Sequence, residues 1–96
     1  MPPTLLVSVQ ISVYPLRQER LSPAVEAVRH ALEDRGLQPQ VGPMSTVVTG
    51  EAAVVFAAVQ DAFGRAATTG QVVMTLTVSN ACPVREPVPG GVLETL

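Results

Sequence analysis

Two segments of the chain alternate between apolar and polar residues with a period of two. In residues 4–14 the odd positions from Leu5 to Val13 are all apolar, and in residues 71–80 the even positions from Val72 to Val78 are all apolar. Such alternation, with many β-branched residues, is typical of a half-buried β-strand. We therefore predict a first strand that ends at Pro15 and a last strand over residues 71–80.

A first helix is predicted between Ser22 and Gly36. Ser22 is a natural N-cap, Pro23 suits the first helical position, and Gly36 stands where a helix usually stops. Its apolar stripe at helical spacing consists of Val25, Val28 and Leu32, with Ala24 and Ala31 beside them.

A second helix is predicted from about Glu51 to Ala67, with Thr49 or Gly50 as its cap and Gly70 beyond its end. Its helical periodicity gives a wide apolar face. The residues of that face are Ala52, Val55, Phe56, Val59, Ala62, Phe63 and Ala66.

Two short strands, Gln38–Val41 and Ser45–Thr49, are predicted between the helices as a hairpin with its bend at Gly42–Met44. The resulting order β-α-β-β-α-β is typical of the ferredoxin-like α+β fold, a four-stranded antiparallel sheet with both helices on one face. The two crossovers predict the sheet order 4-1-3-2. We expect residues 1–84 to form this single domain and residues 85–96 to be a tail rich in proline and glycine.

The sheet face without helices is predicted to carry uncharged polar side chains. They are Ser8, Gln10, Ser12 and Tyr14 from the first strand and Thr75, Thr77 and Ser79 from the last. Solvent faces of antiparallel sheets are ordinarily polar, and plain exposure to water is one explanation. The lack of charge favours two others, because hydroxyl groups make hydrogen bonds without the desolvation cost of an ion: a sheet-to-sheet subunit interface, or a pocket for an uncharged ring.

The composition excludes several kinds of chemistry. Charged residues make up 15% of the 96 residues, against about 25% in an average chain, and all six basic residues are arginine. Without lysine there is no Schiff-base nucleophile and no phosphate-binding loop of the G-x-x-x-x-G-K type. A net charge of −2 argues against nucleic-acid binding. One histidine and one cysteine cannot by themselves form a zinc site.

The amino-terminal run MPPTLLVSVQISVY has no positive leader and is interrupted by polar residues, so it does not resemble a signal peptide. No stretch approaches the roughly 18 apolar residues of a membrane span. We therefore expect a cytoplasmic protein without membrane association.

Four segments of the sequence resemble motifs of the thiamine-binding, YkoF-like proteins. They are SVQISVYPLR at 8–17, VGPMSTVVTG at 41–50, residues 54–62, and VVMTLTVSNACPV at 72–84. The resemblance implies a ferredoxin-like fold. It also implies non-enzymatic binding of thiamine or its hydroxymethylpyrimidine moiety, in thiamine salvage or transport, with no further cofactor. Some members carry two such repeats, so a single repeat implies a homodimer or homotetramer through the open sheet face.

The positions matched to the family motifs are the predicted ligand-binding residues. They are Gln10, Ser12, Tyr14, Met44, Ser45, Thr46, Thr75, Ser79 and Asn80. Ser12, Ser45, Thr46 and Asn80 are predicted to hydrogen-bond the aminopyrimidine edge, since hydroxyl and amide groups complement both its acceptors and its donor. Tyr14 or Met44 is predicted to pack on the ring, and Tyr14 could face a thiazolium as a cation–π partner.

Two other functions remain open on the sequence. The domain could be a regulatory or structural oligomerisation module without a small-molecule ligand. It could also be a small enzyme that uses His30, Cys82 or Tyr14. No nucleophile–base pair is evident around these residues, and we predict a surface histidine and an unreactive cysteine.

Overall fold

The computed structural model describes residues 4–81, which form a four-stranded sheet and two helices. The tail at 85–96 and Cys82 lie outside the described residues. The elements are β1 (Leu6–Pro15), α1 (Ser22–Glu33), β2 (Gln40–Val41), β3 (Thr46–Glu51), α2 (Ala52–Ala67) and β4 (Val72–Ser79).

The strands are antiparallel in the order β2-β3-β1-β4, which is the predicted 4-1-3-2 in reverse. The long strand β1 is therefore central, with β3 on one side and β4 on the other. Val9 pairs with Val48 of β3 and with Val78 of β4, which fixes the register across the middle of the sheet. The predicted ferredoxin-like α+β fold is confirmed.

The core lies between the sheet and the two helices. Val9, Ile11 and Val48 from the sheet are almost fully buried against Val28 and Leu32 of α1. From α2 the buried residues are Val55, Ala58, Val59, Ala62 and Ala66. Four small alanine side chains on the facing sides of the helices, Ala24, Ala31, Ala58 and Ala62, are fully buried, which lets the helices approach closely.

The apolar face predicted for α2 was too wide. Phe56 and Phe63 belong to the predicted apolar face, but both are about half exposed. The buried stripe runs through Val55, Val59 and Ala62, and the two phenylalanines lie on its flank. The apolar face of β4 is likewise covered only at its beginning, because Leu76 and Val78 are exposed although they share a face with buried Val9.

The helix caps also differ from the prediction. Leu21 is the N-cap of α1 and Ser22 is already helical, so Ser22 makes no capping hydrogen bond. Glu51, rather than Thr49 or Gly50, is the N-cap of α2. Gly36 ends α1 as predicted: its φ is +80°, a left-handed conformation that glycine adopts without steric cost.

Ion pairs tie the helices on their exposed sides. Arg65 of α2 reaches Asp61 one turn earlier at 2.9 Å and Asp34, the C-cap of α1, at 2.8 Å. These carboxylates raise the pKa of the Arg65 guanidinium. On α1, Arg29 pairs with Glu26 and, at 3.0 Å, with Glu33.

Within residues 4–81, neither helix is long and apolar enough to cross a bilayer. The same part of the chain holds no group of three His, Cys, Asp or Glu side chains arranged to bind a metal ion.

Candidate functional site

The β2–β3 bend is closed by one internal hydrogen bond and held against the central strand by two others. Within the bend, the Gly42 N–H donates to the Ser45 carbonyl at 2.8 Å, as expected for a tight turn at the predicted position. From β1, the Ser12 hydroxyl donates to the Met44 carbonyl at 3.2 Å and Gln10 Nε2 donates to Ser45 Oγ at 3.1 Å. The uncharged side chains of β1 therefore position the bend.

A cavity of about 140 Å³ lies beneath the first turn of α1, where the bend closes the end of the gap between that helix and the sheet. Its walls come from β1, from α1 with the residue before it, and from the bend, and they are mostly apolar. The lining residues are Ile11, Val13, Tyr14, Leu21, Val25, and the continuous segment from Val41 to Thr46. None of these side chains is charged.

Thr46 supplies a buried polar group to this cavity. It pairs with Ile11 in the sheet, faces the helices, and is only 5% exposed. Among residues 4–81, its hydroxyl has no hydrogen-bond partner. Since an unsatisfied buried hydroxyl costs about 1–3 kcal/mol, the hydroxyl is available to a ligand that enters the cavity.

The volume and lining of the cavity suit one uncharged ring. An apolar cavity of about 150 Å³ is known to hold benzene, so a six-membered ring fits the space and a two-ring molecule does not. The apolar walls favour the ring faces, and the Thr46 hydroxyl can donate to or accept from one ring heteroatom. The rest of a larger ligand would lie at the mouth, beside the exposed Met44.

The structure brings together some of the predicted site residues and separates others. Tyr14, Met44, Ser45 and Thr46 line the cavity, and Gln10 and Ser12 contact the bend that forms its wall. Thr75 lies opposite Ser12 on the open face, outside the cavity.

Ser79 and Asn80 are more distant from the cavity. Ser79 pairs with Ser8, which is about 10 Å along β1 from the Ile11–Thr46 pair at the ordinary rise of a strand. Asn80 follows Ser79 and is exposed. The Ser79 hydroxyl accepts the Ala81 N–H at 2.9 Å, so it already has a partner in the turn that follows β4.

The cavity is also lined by residues that sequence reasoning did not assign to a site. Leu21 and Val25 line it from the start of α1, and Val41 and Pro43 line it from the bend. Val25 is the residue of this set that sequence reasoning could have found. It belongs to the apolar stripe of α1, yet it lies one turn before the fully buried Val28, toward the start of the helix. Near the end of a helix, fewer core side chains pack around such a residue.

The open face of the sheet has the predicted polar character, but apolar side chains are mixed in. The register places Ser8, Gln10, Ser12 and Tyr14 beside Ser79, Thr77, Thr75 and Val73. On the other side of β1, Val47 and Thr49 share this face, with Ser8 Oγ and Thr49 Oγ1 3.0 Å apart. Glu51 is the charged residue that the strands carry on this face.

Solved structures of similar fold come from archaea and bacteria. A hypothetical protein from Methanocaldococcus jannascii matches with a TM-score of 0.71 at 21% identity, over 78% of this chain and 79% of the other. A domain of unknown function from Bacillus cereus matches with a TM-score of 0.69 at 18% identity, over 86% and 85%. A candidate thiamine biosynthesis/salvage protein from Thermotoga maritima matches with a TM-score of 0.68 at 22% identity, over 92% and 89%. At these identities the likeness establishes the fold.

In sequence, no curated protein matches the chain significantly. The profile of the family described as thiamine-binding protein matches residues 9–81, which include the cavity-lining segments of β1, α1 and the β2–β3 bend. That match spans most of the chain, and with the ferredoxin-like fold it shows that the chain belongs to the thiamine-binding protein family.

Proposed function

We propose that this protein is a non-enzymatic binder of thiamine, which it holds by the hydroxymethylpyrimidine ring in the cavity beneath α1. The observation that carries the proposal is the buried Thr46 hydroxyl, which has no partner in the described chain and lines an apolar cavity of one-ring size. Family membership supports thiamine as the ligand. In this proposal the protein acts in the cytoplasm, in thiamine salvage or transport.

The chemistry of the ligand matches the cavity in two respects. An aminopyrimidine is uncharged and flat and presents nitrogen acceptors and an amine donor, which Thr46 and Ser45 can meet. The positively charged thiazolium would remain outside the cavity, in water at its mouth beside the exposed Met44. Burial of the thiazolium would cost more, because no carboxylate lines the cavity to compensate its charge.

Calorimetric titration tests this proposal with three ligands: thiamine, hydroxymethylpyrimidine, and the isolated hydroxyethylthiazole moiety. We expect binding of the first two and no binding of the third. Thr46→Val preserves the shape and removes the hydroxyl, so it should weaken binding about 3- to 10-fold, the worth of one neutral hydrogen bond. Val25→Phe should abolish binding because its ring fills the cavity.

Thr49→Val is the matched control. It makes the same substitution in the same strand on the opposite face, outside the cavity, and should leave the affinity unchanged. Absence of heat and of a thermal shift with millimolar thiamine and hydroxymethylpyrimidine would refute the proposal. Equal loss in Thr49→Val and Thr46→Val would place the ligand elsewhere.

A homodimer or homotetramer through the open face belongs to the same proposal. The exposed apolar side chains Leu6, Tyr14, Val47 and Val73 lie on that face among neutral hydroxyl groups. Glu51, opposite Leu6 at the end of β3, is the one charged side chain that the described strands carry on this face, so the rest of it can be buried without stranding charge. The second candidate function, an oligomerisation module without ligand, rests on this face alone. It predicts that Thr46→Val changes no titration while Val47→Lys lowers the molar mass.

A further inference from the structure

Among residues 4–81, no strand pairs with the outer edge of β4, and this edge lacks the features that usually protect one. β4 is the last strand of the sheet, and its eight residues, VVMTLTVS, include no proline and no charged residue. The opposite edge strand, β2, has only two residues. Natural edge strands are ordinarily short, charged, bulged or covered, since a long neutral edge pairs readily with another strand. The β4 edge is therefore competent for pairing.

The backbone groups that β4 directs outward can be assigned from the ladder. The Leu16 N–H donates to the Gln71 carbonyl at 2.8 Å, and pairs between β1 and β4 alternate from there. Thr75 and Thr77 thus direct their N–H and C=O groups toward β1. Met74, Leu76 and Val78 direct theirs away from the sheet.

Exposed apolar side chains lie on the helix-side face of β4 and on one side of α2. Leu76 and Val78 belong to the helix-side face of β4, yet they are 41% and 42% exposed. On α2, Phe56 and Phe63 are seven residues apart and therefore share one side of the helix. Arg65 reaches α1 from the opposite flank through Asp34, so the phenylalanines lie on the flank away from α1. We call Phe56, Phe63, Leu76 and Val78 the β4 shelf.

We propose that the β4 edge pairs antiparallel with the β4 edge of a second copy of this chain, centred on Thr77. This register sets Leu76 opposite Val78 of the second copy, and Val78 opposite its Leu76, so that the exposed apolar side chains cover one another. On the other face Thr75 meets Ser79, and Thr77 meets its own counterpart, which pairs hydroxyl with hydroxyl. The outward backbone groups of Leu76 and Val78 then form the hydrogen-bonded pairs.

A second copy fits this edge because the strand is self-complementary in that register. In a two-fold symmetric contact each residue must suit its own symmetry mate, and a charge would meet a like charge. The described part of β4 and the β4 shelf carry none. This contact would extend the sheet to eight strands and leave the open face available. It does not depend on thiamine binding.

Molar mass in solution separates this contact from pairing through the open face. Leu76→Lys places a charge at the β4 edge on the helix side, and we expect it to halve the molar mass relative to the wild type. Val47→Lys places the same charge on the open face, away from the β4 edge, and should leave the β4-paired dimer intact. A monomeric wild type, or a Leu76→Lys protein with the wild-type mass, would overturn the proposal.

Disulfide trapping tests the register and decides the matter if Leu76→Lys fails to fold. The background carries Cys82→Ser, which removes the sole native cysteine, and Val47→Lys, which disfavours face-to-face contact. Thr77→Cys should form a covalent dimer on mild oxidation, because non-hydrogen-bonded residues directly opposite each other are close. Thr75→Cys is the matched control and should remain monomeric in denaturing gels. Cross-linking of Thr75→Cys as readily as Thr77→Cys would refute the register.

Discussion

The Ser12 hydroxyl donates a hydrogen bond to the Met44 carbonyl at 3.2 Å, which ties the central strand to the bend that walls the cavity. Ser12 therefore acts on the site through the backbone of the bend. This contact lies beside the Gln10–Ser45 bond, and the two together fix the bend by its carbonyl at Met44 and its side chain at Ser45.

Ser12→Ala removes the bond to the bend. We expect a loss of about 0.5–1.5 kcal/mol in the free energy of unfolding, the usual net worth of one hydrogen bond, with the lower end favoured by its exposure. Affinity for hydroxymethylpyrimidine should fall by a few-fold, because the bend is less well ordered. Urea unfolding and calorimetric titration measure the two effects. An unchanged affinity despite lost stability would show that the position of the bend does not matter to the ligand.

Ser22→Ala should be nearly neutral in stability. The sequence suggested a capping serine, whose removal would cost about 1 kcal/mol. The structure makes Ser22 the first helical residue without a capping bond, so the change should stay within about 0.5 kcal/mol, as at other exposed sites. Urea unfolding decides between these values. A loss near 1 kcal/mol would mean that Ser22 caps α1 in solution.

Leu32→Ala should destabilise the protein more than Phe63→Ala, although phenylalanine is the larger side chain. Leu32 is fully buried and its truncation leaves a cavity, which costs about 2–5 kcal/mol. Phe63 is 44% exposed, so its truncation loses less contact. Thermal and urea unfolding of both variants provide the comparison. A larger loss of stability in Phe63→Ala than in Leu32→Ala would place Phe63 in a buried contact, such as the one proposed for the β4 shelf. The comparison should therefore be repeated in proteins that also carry Leu76→Lys.

The Glu26 carboxyl should titrate below the usual range of a glutamate. Arg29 holds its pKa down, first through a side-chain hydrogen bond and also through its positive charge. Because the folded-state pKa is below the unfolded-state value, this pair adds stability above the ordinary glutamate pKa. That contribution is lost as the pH falls through the lowered pKa. Titration by nuclear magnetic resonance should show the Glu26 pKa rising in Arg29→Gln.

Arg65→Gln provides the control for this titration. Arg65 pairs with Asp34 and Asp61 rather than with Glu26, so its removal should leave the Glu26 pKa in place. The same Glu26 pKa in the wild type and in Arg29→Gln would contradict the assigned cause.

Alternation and periodicity along the chain were sufficient for the element order and the sheet order. A strand with one buried face and a helix with an apolar stripe each show a characteristic pattern in the sequence, which can be recognised without knowing what the element packs against. The two crossovers then restrict the topology. The bend at Gly42–Met44 was also predictable, since Gly-Pro interrupts a strand by its local conformation. The four motifs extended this to the family, and four of the predicted site residues line one cavity: Tyr14, Met44, Ser45 and Thr46.

The tertiary structure decided what a single segment cannot encode. Phe56 and Phe63 match the helical pattern of a core as well as Val55 does, but the approach of α1 from the other flank leaves them outside. Leu76 and Val78 match the pattern of a buried strand, but α2 covers only the start of β4. The cavity forms because β1, the start of α1 and the β2–β3 bend, distant in sequence, meet around the Thr46 hydroxyl. Sequence patterns record which side of an element is apolar, whereas burial depends on where the neighbouring element ends.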